Sequence, residues 1–360
     1  MLSASPSPCR SAIEKIGAAV LALWGASLAV AGPALAAGQA PAAITGAGSS
    51  FAAPVYLGWS VPAAAGAHVR VNYQSVGSGA GVDQMRRRTI NFGASDKPLG
   101  LGALKAARLY QFPSVISGLA VVYNIPGVKP GALKLDGPVL ADIYAGTITR
   151  WNDKRLQALN PGMALPDRSI GAVHRADGSG TTWVFTTYLS RVSRAWRQSR
   201  GAGTLVAWAG GCGARGNDGM AALVKMVDYS LGYVEYAYAN LNHLPTAQLL
   251  NAAGQYVAPS LQTFDSAVAA ADFKAHGTDG TNEVDLINVG GAQSWPLMGV
   301  TYGLVATDPR VAQHAQGVKR FFQWGFDHGA PLARQLGYVS LPVGERAHIM
   351  QAWPAIQPAP

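Results

Sequence analysis

Two short segments rich in glycine and hydroxyl side chains, about 130 residues apart, place the strongest constraint on the fold of this chain. The first is Ile44-Thr-Gly-Ala-Gly-Ser-Ser-Phe-Ala-Ala-Pro54 and the second is Arg175-Ala-Asp-Gly-Ser-Gly-Thr-Thr-Trp183. Each leads from a turn of small residues into a helix start, where the first N–H groups lack intrahelical partners and attract an anion. Two half-sites so far apart in sequence imply one oxyanion held between two lobes.

The chain has 360 residues, 49% of them apolar and only 13% charged, enough for a large core and two domains. Its first 36 residues read as a leader to be set aside: Arg10 and Lys15 precede an uncharged, mostly apolar run over 16–31, and Ala34-Leu-Ala36 has the small-x-small form of a cleavage site. A retained membrane anchor is the alternative, opposed by Gly32, Pro33 and the polar, glycine-rich sequence that follows. Cys9 lies before the apolar run, on the wrong side for a lipid-bearing terminus, so the mature chain is expected to be soluble and exported. Cleavage after Ala36 would leave Cys212 as the sole cysteine of the mature chain, in a glycine-rich stretch with no nearby histidine, so a structural role is expected for it. The net charge of +9 favours anionic partners. Nucleic acid is not among them: Arg86-Arg87-Arg88 is brief, lacks interleaved aromatics and belongs to no helix-turn-helix or zinc-finger pattern.

Residues 68–74 alternate as a strand, run into Ser75-Val-Gly-Ser-Gly-Ala-Gly81, continue as a short helix and return through a strand over 90–95 that ends at Asp96. This order marks an α/β unit that binds ligands at the carboxyl ends of parallel strands. Further strands are expected over 115–123, 170–174, 230–234, 285–289 and 301–306, and helices over 140–144, 181–189, 216–226, 318–326 and 345–353. The aromatic face of 318–326 has the spacing of a core-facing helix. Pro62 is expected to limit a helix over 59–66.

A tetrahedral anion in a dry cleft needs many short hydrogen bonds. Ser50, Phe51, Ser78, Ser179, Gly180 and Thr181 are candidate donors, and Arg175 offers a planar fork that Asp177 would orient. Asp96 sharpens the reading. A carboxylate facing an anion is repulsive unless the anion carries a proton, which protonated phosphate does and fully ionised sulfate does not. The competing reading makes Asp96 a helix cap before Pro98, and Ser50 an N-cap. Ser179, His174 and Asp177 contain the residue types of a hydrolase triad, but the segment lacks the Gly-x-Ser-x-Gly elbow and His174 is expected to point away. No histidine spacing suggests a metal, and no cofactor is required.

These residues lie in motifs that resemble the phosphate-binding periplasmic component of bacterial phosphate ABC transporters, the PstS family. The likeness runs from Thr45 to about Trp353 through Asn91-Phe-Gly-Ala-Ser-Asp96, Tyr123-Asn-Ile-Pro-Gly127, Asp142-Ile-Tyr144, Gly216-Asn-Asp-Gly219 and Gly232-Tyr-Val-Glu-Tyr-Ala-Tyr238 as well as both hydroxyl segments. It implies an α/β periplasmic binding protein fold of Venus-flytrap type, with two lobes joined by crossover strands. Lobe one would comprise 41–116 plus 296–360, lobe two 117–295, and the crossings would fall near 114–118 and 294–297. The resemblance also implies a non-catalytic, monomeric periplasmic receptor that passes inorganic phosphate to an inner-membrane ABC permease with its ATPase subunits. Its ligand contacts carry over onto Ser50, Phe51 through its N–H, Ser78, Asp96, Arg175, Ser179, Gly180 and Thr181, with Asp177 as the acidic partner of Arg175. A receptor for arsenate or sulfate, or a phosphate-ester hydrolase, is the alternative. His174 stands where relatives carry a second arginine and would add attraction for an anion as it protonates.

Overall fold

The computed structural model of the chain describes residues 41–273, 280–307 and 312–353. The expected leader over 1–36, its cleavage site and the chain beyond 353 lie outside the described residues.

Strands β1 (Ala42–Gly48), β2 (Val69–Ser75) and β3 (Phe92–Ser95) run parallel, with β1 between the other two, and helices Ala53–Gly66 and Ser78–Arg86 make the crossovers. After them come β4 (Leu109–Asn124), β5 (Lys134–Leu135), β6 (Gly171–Arg175), β7 (Cys212–Ala214), β8 (Ser230–Glu235), β9 (Gln248–Leu250), β10 (Tyr256–Val257) and β11 (Met298–Ala306). The main sheet has eight strands in the order β2-β1-β3-β11-β4-β8-β6-β7, and β10, β9 and β5 form a small separate sheet. Parallel pairs occupy both ends of the main sheet, and the antiparallel pairs lie at its centre.

Strand β4 joins the two halves. Its 16 residues are almost all buried, as a near-continuous apolar run requires when both faces are covered. Up to Gly118 it pairs with β11, and from Leu119 it pairs with β8. Gly118 has no alternative at this change of partner, because a Cβ there would lie 2.2 Å from the Phe264 ring. Pro113 sits inside the same strand without an N–H to give, and the register with β11 slips between Thr301 and Tyr302 opposite it.

Each half has its own aromatic packing. Tyr56, Tyr73, Phe92, Phe321 and Phe322 meet ring to ring on one side, and Tyr144, Phe185, Trp208 and Tyr233 on the other. Burial of each Phe contributes about 1.5–3 kcal/mol. The aromatic face expected over 318–326 therefore packs in the core, on helix Ala312–His328.

Two local expectations and one competing reading fail. Residues 285–289 form no strand: the Ile287 N–H turns onto the Asp285 carboxylate, Asn288 is left-handed at φ 56, and the Tyr302 hydroxyl takes the Val284 N–H. Pro62 does not end its helix, which continues to Gly66 with Tyr56, Trp59 and Ala63 buried, so packing outweighs one missing backbone bond. Asp96 and Ser50 cap nothing: the following helices, Leu101–Ala107 and Ala53–Gly66, begin after Gly100 and Ala52.

Candidate functional site

The carboxyl ends of β1, β2, β3 and β6 deliver the site. Ser49 to Phe51 follow β1, Ser78 opens a helix after β2, Asp96 follows β3, and β6 ends at Arg175. The loops of the two halves touch: the Gly79 N–H donates to the Gly178 carbonyl at 2.9 Å. The fit leaves no room for side chains at two glycines. A Cβ on Gly180 would lie 2.4 Å from Ser78 Oγ and 2.7 Å from the Asp96 nitrogen, and one on Gly77, at φ +89, would lie 2.5 Å from Asp177 Oδ2.

Asp96 is 1% exposed. Its Oδ1 accepts the Ser49 hydroxyl at 2.5 Å and the Thr301 hydroxyl at 2.6 Å, while Oδ2 accepts Thr181 at 3.4 Å. Its N–H donates to Ser78 Oγ at 3.3 Å. Burial pushes its pKa up to about 6, against the lowering effect of the Ser49 and Thr301 bonds, the Arg175 charge and Thr181, so the group is mostly a carboxylate at pH 7.

Arg175, 2% exposed, donates from Nε and Nη2 to Asp177 Oδ1 and Oδ2 at 2.7 and 2.5 Å. Its Nη1 is buried and has no hydrogen-bond partner among the described residues. Burial alone would raise Asp177, but the bonds and charge of Arg175 outweigh it and hold the carboxyl below its ordinary value. Ser179 caps helix Gly180–Val192, its Oγ accepting the Thr182 N–H at 3.0 Å, which leaves the hydroxyl proton to give.

The structure thus brings Ser50, Ser78, Asp96, Arg175, Ser179, Gly180 and Thr181 to one junction. Phe51 differs from expectation in one respect. Its N–H is directed to Ser49 Oγ at 3.0 Å, and its ring packs at 6.4 Å edge-on to Tyr338. The physical reason is the turn after β1, which brings the hydroxyl of residue 49 back over the nitrogen two residues on.

Ser49, Thr301 and Asn217 belong to this junction and were not among the sequence candidates. Asn217 donates from its backbone N–H and from Nδ2 to Ser50 Oγ at 3.1 and 2.9 Å, and from Nδ2 to Thr181 Oγ1 at 3.3 Å. Its Oδ1 takes the Glu235 N–H at 2.9 Å. The Gly216-Asn-Asp-Gly219 motif was a visible signal for it. Thr301 had none, since it lies 205 residues from Asp96 on a strand of small and apolar residues.

The hydrolase triad is not assembled. His174 stacks on Trp208 with centroids 5.0 Å apart, Asp177 is engaged by Arg175, and Ser179 Oγ serves the helix. Burial also lowers the His174 pKa, so the ring is neutral at pH 7 and the attraction expected from its protonation moves to more acid conditions. Among the described residues no cluster of His, Cys, Asp and Glu could hold a metal, and no helix is long and apolar enough to cross a membrane. Cys212 is buried in β7.

The PBP superfamily domain matches residues 35–327 of the chain. Over 312 residues the chain is 43% identical to the phosphate-binding protein PstS of Xylella fastidiosa, covering 86% of this chain and 84% of that protein. It is 44% identical over 310 residues to the phosphate-binding protein PstS of Pasteurella multocida, covering 86% and 89%. Among solved structures, the phosphate-binding protein of Stenotrophomonas maltophilia is similar with a TM-score of 0.64 at 18% identity, over 86% of this chain and 93% of that one. That likeness is one of fold, the two-domain α/β fold of periplasmic binding proteins.

Proposed function

We propose a phosphate receptor, and the premise is that this chain belongs to the PstS family of phosphate-binding proteins. It is a non-catalytic protein that captures inorganic phosphate and delivers it to an ABC permease. One observation carries this reading for the site: a buried guanidinium nitrogen without a partner and a buried carboxylate acceptor meet at the junction of the two halves. An anion satisfies the first, and a proton on that anion satisfies the second. Phosphate near neutral pH offers both. Sulfate offers only the charge.

Ser50, Ser78 and Ser179 then donate hydroxyl protons to the ligand, and Thr181 does so once it releases Asp96 Oδ2. Arg175 Nη1 supplies a charged bond, the N–H groups opening helix Gly180–Val192 add the positive end of the helix dipole, and Asp96 Oδ2 accepts the phosphate proton. Phe51 gives its N–H only if Ser49 Oγ releases it. Lobe one comprises 41–116 plus 296–360 and lobe two 117–295, with the hinge where β4 exchanges β11 for β8 and where the Leu119 N–H meets the Leu297 carbonyl. Contacts available only in the closed arrangement shift the population towards it when phosphate binds. The leader exports the chain to the periplasm, where it works as a soluble monomer, and the ATPase subunits of the permease supply the energy.

Titration calorimetry of refolded, ligand-stripped protein against phosphate, sulfate and arsenate tests the reading. Phosphate binds and sulfate does not; heat from sulfate alone, or from none of the three, overturns it. Tight arsenate binding would extend the ligand class, because arsenate also carries protons.

A further inference from the structure

The Asp96 carboxylate is engaged unevenly. Oδ1 receives two short hydroxyl bonds, from Ser49 and Thr301, while Oδ2 receives a single long one from Thr181 across the junction. Each hydroxyl has one proton to give. Ser49 Oγ is already an acceptor for the Phe51 N–H, an arrangement that turns its proton towards Asp96. Thr301 stands at the irregularity of β11 opposite Pro113. Its carbonyl is fixed by Ser114 Oγ at 2.7 Å, which in turn meets the Tyr56 hydroxyl at 2.5 Å. Both donors are therefore held in place by other parts of lobe one, with their hydroxyl protons directed at Oδ1.

We propose that Ser49 and Thr301 are positioning residues that set anion specificity. By donating to Oδ1 they keep Asp96 a carboxylate whose remaining oxygen, Oδ2, has to take its proton from the ligand. This rests on the phosphate reading above and adds to it the residues that keep Asp96 able to discriminate. A protonated Asp96 would become a donor and would welcome an anion without a proton, so discrimination against sulfate lasts only while the carboxylate persists.

The remaining titratable groups around Asp96 do little to protect that state. Tyr56 from helix Ala53–Gly66, Tyr73 from β2, Tyr238 from helix Tyr236–Leu241 and Tyr338 after helix Ala330–Gln335 are all pushed upward, mainly by burial, and stay neutral. Glu235 from β8 is pushed up to about 8 by burial and is mostly neutral at pH 7. Arg175 from β6 is the cation that favours the charged form, alongside the hydroxyl bonds. Burial has already brought Asp96 to about 6, so the loss of one hydroxyl donor carries its titration into the neutral range.

The test is calorimetry of phosphate and sulfate between pH 5 and pH 8.5 on the wild type, Ser49→Ala and Thr301→Val, with Ser49→Thr and Thr301→Ser as variants that keep the hydroxyl. Sulfate does not titrate in this range, so its binding reports the state of Asp96. In the wild type sulfate binding emerges as the pH falls. In Ser49→Ala and in Thr301→Val its midpoint moves up by about one pH unit, and the phosphate-to-sulfate ratio at pH 7 falls about tenfold. The hydroxyl-keeping variants retain the wild-type midpoint. If both affinities fall together with the midpoint unmoved, the two residues only pack the site and the proposal is overturned while the receptor reading stands. A wild type that binds no phosphate removes the premise and the proposal with it. Either variant alone decides the matter, so poor folding of Thr301→Val leaves Ser49→Ala to give the answer.

Discussion

The two charged corners of the site are built in opposite ways. Arg175 is held by Asp177, two residues further along the chain, through a fork-to-carboxylate pair formed within one loop. Asp96 is held by Ser49 and Thr301, which lie 47 and 205 residues away, and is approached from the other half by Thr181. One corner is a local motif, and the other exists only when four strands have assembled. The charge that attracts the ligand is therefore prepared within a loop, whereas the acceptor that selects it depends on the packing of lobe one.

The largest effect is expected at the local corner. Arg175→Ala removes a buried cation and leaves Asp177 without its partner, and phosphate affinity measured by calorimetry falls about a thousandfold. A loss under tenfold would break the comparison by showing that the hydroxyl groups alone hold the ligand. At the assembled corner, Asp96→Asn replaces an acceptor with a group that also donates. The phosphate-over-sulfate ratio then falls about a hundredfold, more through gain of sulfate than through loss of phosphate. An unchanged ratio would mean that selection lies elsewhere.

Asn217→Ala sharpens the comparison, because this side chain links Ser50 of one half to Thr181 of the other. Phosphate affinity should fall about tenfold, the value of one well-made polar contact, with no change in selectivity. The smallest effect concerns stability. Glu235, fully buried beside the partner exchange in β4, accepts the Ser117 hydroxyl at 2.7 Å and the Ala237 N–H at 3.0 Å on Oε1, while its Oε2 has no hydrogen-bond partner among the described residues. Its pKa is pushed from 4.5 up to about 8, first by burial. Its contribution to stability is full below pH 4.5 and is lost as the pH rises through about 8. Glu235→Gln keeps the Oε1 acceptor and removes the charge, so the melting temperature should fall less steeply between pH 5 and pH 8 than in the wild type. Equal slopes would show that the carboxyl does not titrate there.

Much of the architecture was legible because it is periodic. The strand, glycine loop, helix and strand over 68–95 and the helix after Ser179 follow from apolar spacing and turn residues, and the structure has them as β2, helix Ser78–Arg86, β3 and helix Gly180–Val192. Where prediction failed, a distant group had supplied what the local rule lacked. The apolar residues of 285–289 suggest a strand, but Tyr302 takes the backbone bonds of Val284, and Arg191 meets both Asp285 and the Ile287 carbonyl, so that segment runs as a turn. Pro62 forfeits one helical bond, and the burial of Tyr56 and Trp59 in the core cluster outweighs it.

By itself the sequence determined the two hydroxyl segments, the cation with its neighbouring carboxylate, and the α/β order that sends them to strand ends. All of these depend on residues within a few positions of one another, where spacing dictates geometry. Tertiary structure alone decided that Ser49 and Thr301 would share one oxygen of Asp96 and that Asn217 would bridge the halves. Hydroxyl and amide groups are short and choose partners by position rather than by type, so their roles are set only when strands hundreds of residues apart are brought side by side.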